Sequence, residues 1–223
     1  DGAWQEILEF QFTYDDAGTM MEIILLTDTG QSGTLTESMR MQMTYDEDGF
    51  RIQDLIAIYV TETQQWRNAL RVTYTRNQNG DITEELSEAW ASVSWIALGK
   101  IENTYDGSGN LTEKLTMKTE LSGTQVNWVN ELKQLFNYDA SGNTTEHLYQ
   151  IYAGQAWDDS LRYTYQYNTS GLQNYELVEE SPGSTWENVS RTNTAYNDAG
   201  AVTEEIYEVW DNGWRNSQKT AIE

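Results

Sequence analysis

The chain has 223 residues, and its 36 Asp and Glu against 13 Lys and Arg give a net charge of −23, a field that repels nucleic-acid phosphates and an anionic membrane surface, so neither is expected as a partner. With no cysteine and a single histidine, His147, disulfides and thiolate chemistry are excluded and there is little room for His-based catalysis or metal binding. Nine Trp and 14 Tyr beside one Pro argue for an ordered chain in spite of the acidity, and no apolar run is long enough for a membrane helix.

Along the chain a turn-like string recurs, near 14–18, 45–49, 76–80, 105–109, 138–142, 167–171 and 196–200. The first is Tyr14-Asp15-Asp16-Ala17-Gly18, and only the third replaces the tyrosine, with Arg76. Asp or Asn three residues before Gly is the signature of a type I turn closed by a left-handed residue, a three-residue hairpin loop with a bulge at the glycine. Gly18, Gly49, Gly80, Gly109, Gly142, Gly171 and Gly200 hold that position. Ten residues before each first position stands a marker, Trp4, Leu35, Trp66, Trp95, Trp128, Trp157 or Trp186. Marker spacings of 31, 31, 29, 33, 29 and 29 vary only in steps of two, which preserves the face of every strand residue. Each unit therefore reads as two strands, the second ending near an aromatic such as Tyr59, Trp90, Tyr152 or Trp210.

The expected fold is all-β: one array over 1–223 of tandem antiparallel hairpins, about 30 residues each, seven and a half in number. It would form one long twisted meander of about 15 strands, its apolar face covered by superhelical coiling, by barrel-like closure or by a second copy. The eighth unit opens at Trp214, in the phase in which the chain itself opens at Asp1-Gly2-Ala3-Trp4, so the chain reads as a segment of a longer array.

Alternation sorts each first strand into an apolar face, such as Phe12, Phe10 and Leu8 or Met43, Met41 and Met39, and a face with Thr and a cation. The cation lies five places before the turn tyrosine: Arg40, Arg71, Lys100, Lys133, Arg162 and Arg191, then Lys219 in the partial unit, with Glu9 as the exception. The hairpin register expected from the three-residue loop puts the aliphatic ladder Ile24, Leu55, Leu86, Leu115, Leu148, Leu177 and Ile206 on the apolar face. It sets Thr75 opposite Thr83 and Thr104 opposite Thr112. It also makes Arg40 diagonal to Asp54, Arg71 to Glu85, Arg162 to Glu176 and Arg191 to Glu205. Lys100 with Lys114 and Lys133 with His147 do not fit this pairing. The same register places Glu22, Glu84, Glu113, Glu146 and Glu204 on the apolar face, where a bare carboxylate is costly; either that face is wet near the turn or the register is one residue off.

Candidate binding residues are Trp66, Trp128, Trp157 and Trp186, whose flat indoles could stack on sugar rings but whose position at strand starts suits packing in the sheet. The Asp-rich turns match turn chemistry better than a calcium loop, since they lack the spacing of an EF-hand or a calcium β-roll. No metal, cofactor or catalytic residue is expected. His147 reads as a solvent-facing substitution, and adjacent carboxylates such as Glu84-Glu85 point to opposite faces and cannot act as a hydrolase dyad. The chain is therefore not expected to be an enzyme.

The string Trp128-Val129-Asn130, Tyr138-Asp139-Ala140-Ser141-Gly142-Asn143 and Thr145-Glu146 resembles the tandem repeats of large secreted Bacteroidota proteins that carry a type IX secretion sorting domain, and less closely the YD repeats of RHS proteins, which build a β-sheet shell around a toxin. The spacing and the missing second Gly-Tyr half depart from a YD repeat. The resemblance implies an exported, extracellular or cell-surface protein, whose signal, absent from the opening residues, would have been removed. The expected function is a structural or adhesive repeat protein, a component of a filament or surface layer, with other copies, surface proteins or glycans as partners. A glycan-binding module is the alternative and an RHS-like shell a distant third.

Overall fold

A computed structural model describes residues 8–28, 34–122, 125–183 and 185–221. They form β1 (Leu8–Tyr14), β2 (Met20–Thr27), β3 (Thr36–Tyr45), β4 (Arg51–Val60), β5 (Gln65–Arg76), β6 (Ile82–Trp90), β7 (Trp95–Tyr105), β8 (Leu111–Ser122), β9 (Gln125–Tyr138), β10 (Thr144–Ala153), β11 (Ala156–Tyr167), β12 (Gln173–Glu180), β13 (Glu187–Tyr196), β14 (Val202–Trp210) and β15 (Trp214–Ala221). All 15 strands belong to one antiparallel sheet whose strand order is the chain order. The meander is thus as expected. Barrel closure is not, because the sheet is open, with β1 and β15 at its two ends.

The turns form for the reason their sequence gives. In the first, the Asp15 carboxylate Oδ1 accepts from the backbone N–H groups of Ala17 and Thr19, at 2.9 and 2.8 Å. Gly18 N–H donates to Asp15 C=O at 3.1 Å, and Gly18 has φ +85°, a left-handed conformation that a Cβ would strain. All seven turn glycines have φ between +77° and +88°.

One residue beyond the turn the register departs from expectation. Tyr14 lies opposite Met20, but Thr13 lies opposite Glu22, so Met21 is an unpaired bulge. The same bulge leaves out Ile52, Thr83, Thr145, Asn174 and Thr203 in later hairpins. A mirror-image bulge lies in the first strands, at Ser38, Ala69, Ser160, Val189 and Ser217. An extra residue moves everything after it to the other face. Thr75 therefore faces Glu84 rather than Thr83, and the bulged Thr83 hydroxyl donates to Thr75 C=O at 3.3 Å. Arg71, Arg162 and Arg191 lie opposite Glu88, Glu179 and Glu208 rather than diagonal to Glu85, Glu176 and Glu205, and Arg40 lies opposite Ala57 rather than diagonal to Asp54.

The aliphatic ladder moves with the register. Ile24 pairs with Arg40, Leu55 with Arg71, Leu148 with Arg162, Leu177 with Arg191 and Ile206 with Lys219. One face thus carries cations, aliphatics and the glutamate ladder; the other carries the Phe, Met and Tyr of the first strands with Ile23, Leu25, Ile56 and their equivalents.

The chain divides into two compact units, Asp1–Ile101 with Lys118–Val129 and Glu102–Met117 with Asn130–Glu223. In the first, Met43 and Ala57 are the buried apolar residues. Asp54, 4% exposed on the apolar face, accepts from the Tyr74 hydroxyl at 2.6 Å and pairs with Arg51. In the second, Met117 is buried, and the rings of Phe136, His147, Tyr149 and Tyr163 share the apolar face. Within each unit the hairpins are joined by edge-on aromatic pairs that cross from strand to strand: Tyr59 with Trp66 and Trp90 with Trp95 in the first, Tyr152 with Trp157 and Trp210 with Trp214 in the second, at 5.1–5.3 Å. Each such pair contributes about 1 kcal/mol beyond its area.

Candidate functional site

Every cation of the recurrent position, where its successor unit lies in the chain, stands over the marker tryptophan of that next unit. The distances to the ring centroid are 4.8 Å for Arg40 over Trp66, 4.6 Å for Arg71 over Trp95, 5.2 Å for Lys100 over Trp128, 4.5 Å for Lys133 over Trp157, 4.4 Å for Arg162 over Trp186 and 4.4 Å for Arg191 over Trp214. The cation sits on one first strand and the indole on the next, so the side chain reaches over the strand between them. What lies beneath it is well covered: Ala57 is 1% exposed and Glu208 9%. The negative face of an indole attracts a cation by about 0.5–2 kcal/mol, more as water is excluded.

The one unit that lacks the cation explains the rule. Glu9 stands where the others have Arg or Lys, and the marker that follows it, Leu35, is the only one that is not tryptophan. Both exceptions are one exception, since an indole face has nothing to gain from a carboxylate.

Each cation also holds a carboxylate, and the residue under it decides which. Where the residue opposite is Glu, the cation is Arg and pairs there: Arg71 with Glu88 at 2.5 Å, Arg162 with Glu179 at 2.7 Å, Arg191 with Glu208 at 2.5 Å. Arg191 accordingly holds the Glu208 carboxyl below its usual range, chiefly through their hydrogen bond. Where the residue opposite is Ala57, Arg40 turns to Glu22 of the preceding hairpin at 3.7 Å, and Lys133, opposite Gln150, turns to Glu113 at 4.0 Å. Lys100 pairs with Glu84 at 3.7 Å and Lys219 with Glu204 at 2.5 Å. Four members of the glutamate ladder, Glu22, Glu84, Glu113 and Glu204, are therefore counter-ions of these cations, while Glu146 accepts from the Asn137 side-chain amide at 2.9 Å. Lys100 and Lys133, which the expected register left facing Lys114 and His147, fall into line.

Of the tryptophans singled out in the sequence, Trp66, Trp157 and Trp186 are half-buried and Trp128 is 39% exposed; Trp4 lies outside the described residues. His147 is not solvent-facing. It stacks on Phe136 at 4.2 Å, lies 4.3 Å from Tyr149 and shares a 3.0 Å hydrogen bond with Gln134, and burial pushes its pKa down. The bulge explains the change, since it turns His147 to the aromatic face.

The turn carboxylates are engaged by their own backbone. Asp106 and Asp139 are held below the usual carboxylate range, first by the side-chain amides of Asn110 and Asn143 and then by backbone N–H groups. Shallow clefts separate successive turns, one of about 590 Å³ lined by Asp106, Asn110, Tyr138 and Asp139. Among the described residues no group of three or more His, Asp or Glu is placed to hold a metal ion.

The turn tyrosines fasten hairpin to hairpin. The hydroxyls of Tyr45, Tyr138, Tyr167 and Tyr196 donate to the carbonyls of Met20, Leu111, Thr144 and Gln173, at 2.9, 2.8, 2.8 and 2.6 Å. Arg76 keeps the bond in the unit without a tyrosine, through Nη2 to Arg51 C=O at 3.2 Å.

No family model matches the chain, and no curated protein matches it. Solved structures do. A protein of unknown function from Bacteroides fragilis is 16% identical with a TM-score of 0.46, over 57% of this chain and 91% of that one. A DUF3836 family protein from Bacteroides vulgatus is 20% identical with a TM-score of 0.34, over 42% and 92%. The structure of TcdB2-TccC3-TEV is 13% identical with a TM-score of 0.36, over 91% of this chain and 12% of that one. At these TM-scores the likenesses assign no function.

Proposed function

We propose that the chain is a non-catalytic extracellular repeat scaffold, a structural or adhesive array at the cell surface whose reach is set by the number of hairpins. The observation that carries this reading is the cation–indole ladder. It spends one face of each of six tryptophans on holding a unit to its successor, the nearest-neighbour coupling that makes an array stable and extensible. Export to the surface is supported by the likeness of the Trp128–Glu146 strings to secreted Bacteroidota repeats. The net charge of −23 suits a surface that must stay soluble until it meets a partner.

Glycan binding is the second reading, favoured at one place: Trp128 is 39% exposed and its cation stands farthest off, at 5.2 Å. Titration with neutral oligosaccharides, followed by tryptophan fluorescence, separates the two. The scaffold reading expects no saturable change; a saturable quench that Trp128→Ala abolishes would replace it with the glycan reading. Protease treatment of intact producing cells tests location, and the scaffold reading expects the protein to be degraded there.

A further inference from the structure

We propose that the apolar face of β1–β5 is the docking surface for a second copy of this chain, so that two arrays pair face to face. The register places Phe10, Leu25, Met39 and Ile58 in one row across β1–β4, and sets Leu70 of β5 opposite Ile56. Leu8, Phe10, Phe12, Met39, Ile58 and Leu70 are between 36% and 51% exposed, an unusual density of large apolar side chains on one sheet face.

Two observations select a second copy as the occupant. The first is area. Six side chains near half exposure, at roughly 200 Å² each when bare, with the partly exposed aliphatic and methionine side chains between them, offer on the order of 800 Å², the share each partner gives to a stable interface. The second is charge. A chain at −23 repels its own copy everywhere except where its carboxylates are missing. Across β1–β4 this face carries only Arg51 and Asp54, which neutralise each other, whereas Glu9, Glu22 and Glu37 line the opposite face. Arg67, opposite Ile58, marks the edge of the patch. A sheet face packs on its like with side chains interdigitating at about 10 Å between sheets, and two identical faces satisfy each other about a twofold axis.

This goes beyond the scaffold reading, which survives if the dimer does not exist. Analytical ultracentrifugation of the whole chain tests it. The wild type is expected to be a dimer at about 10 µM, as interfaces of this size range from micromolar to far tighter. Phe10→Lys with Met39→Lys, and separately Phe10→Glu with Met39→Glu, are each expected to weaken the dimer by about 100-fold through like charges. An equimolar mixture of the two is expected to restore it, and Glu22→Lys on the opposite face to leave it intact. Should the paired variants not fold, Met39→Cys in this cysteine-free chain gives a second reading: its alkylation slows as protein concentration rises, while that of Glu37→Cys does not. A wild type that is monomeric at that concentration, a dimer indifferent to the charged pairs, a mixture that fails to re-form it, concentration-independent alkylation of Met39→Cys, or a monomer that binds lipid vesicles through this face would each overturn the proposal.

Discussion

Arg162 makes the most complete rung of the ladder and gives its sharpest test. Its guanidinium lies 4.4 Å from the Trp186 centroid while Nε and Nη2 donate to one oxygen of Glu179 at 2.9 and 2.7 Å. The side chains of Arg162 and Glu179 are 27% and 13% exposed, enough burial to limit solvent screening. Arg162→Met strands a carboxylate that is mostly covered, a cost of about 2 kcal/mol, and forfeits the indole contact. Trp186→Leu forfeits that contact and some apolar area, about 1–2 kcal/mol in all. If the stack exists, the double variant is less destabilised than the sum by about 1 kcal/mol. Urea unfolding followed by circular dichroism gives the global effect, and amide exchange in β11–β13 gives the local one, which matters because arrays need not unfold in one step. A control cycle of Arg162 with Trp214, which do not touch, should be additive within about 0.5 kcal/mol. A coupling between Arg162 and Trp186 no larger than that control refutes the ladder.

The missing rung can be installed: Glu9→Arg with Leu35→Trp should stabilise the chain by about 0.5–1 kcal/mol more than the two single changes together, read as a shift in the urea midpoint. Gly109→Ala meets no atom within 4 Å and should cost only the left-handed backbone penalty of about 1 kcal/mol, whereas at Gly80 (φ +88°) the new Cβ would stand 2.7 Å from the Phe50 ring, which must swing off Arg76. Gly80→Ala should therefore be the more destabilising, by thermal unfolding. Burial, then the bond to Asp54, pushes the Tyr74 hydroxyl from 10.0 up to about 12. The folded state favours its neutral form, so its contribution is complete below pH 10 and is lost as pH rises through 12. Phenolate absorbance should show Tyr74 ionising late, together with Tyr165, also raised to about 12. Tyr74→Phe should remove one late-titrating group.

The turns were legible in the sequence because their chemistry is local: Asp15 and Gly18 make the loop with four residues and their backbone, wherever the rest of the sheet goes. Unit length was legible too, through spacings that keep strand parity. What sequence reasoning missed was the second bulge, because the residues it leaves out have no single signature: Thr83, Thr145 and Thr203 share a hydroxyl, but Met21, Ile52 and Asn174 hold the same place. A bulge is a backbone event and leaves little trace in composition. The trace it did leave was the glutamate ladder on a supposedly apolar face, and the correct inference was that the register was one residue off.

Once parity is corrected, the cation, its glutamate and the aliphatic ladder share a face. The tryptophan partner was readable from the paired exceptions Glu9 and Leu35, but only by comparing each unit with its successor rather than within itself. Glu88, Glu179 and Glu208 lie in the same hairpin as their Arg and were missed because of the bulge, each lying three residues beyond the carboxylate that the unbulged register selected. The buried Asp54 had no sequence signal, since its partners Arg51 and Tyr74 come from the start of its own strand and from the next first strand.

All of this rests on one feature of the backbone, the bulge seven residues after Tyr14, Tyr45, Arg76, Tyr138, Tyr167 and Tyr196. Cross-strand backbone nuclear Overhauser effects in the β5–β6 hairpin test it directly. The account predicts contacts that set Thr75 opposite Glu84 and Tyr74 opposite Glu85, with Thr83 unpaired. Contacts that set Thr75 opposite Thr83 would return the glutamates to the apolar face and contradict it.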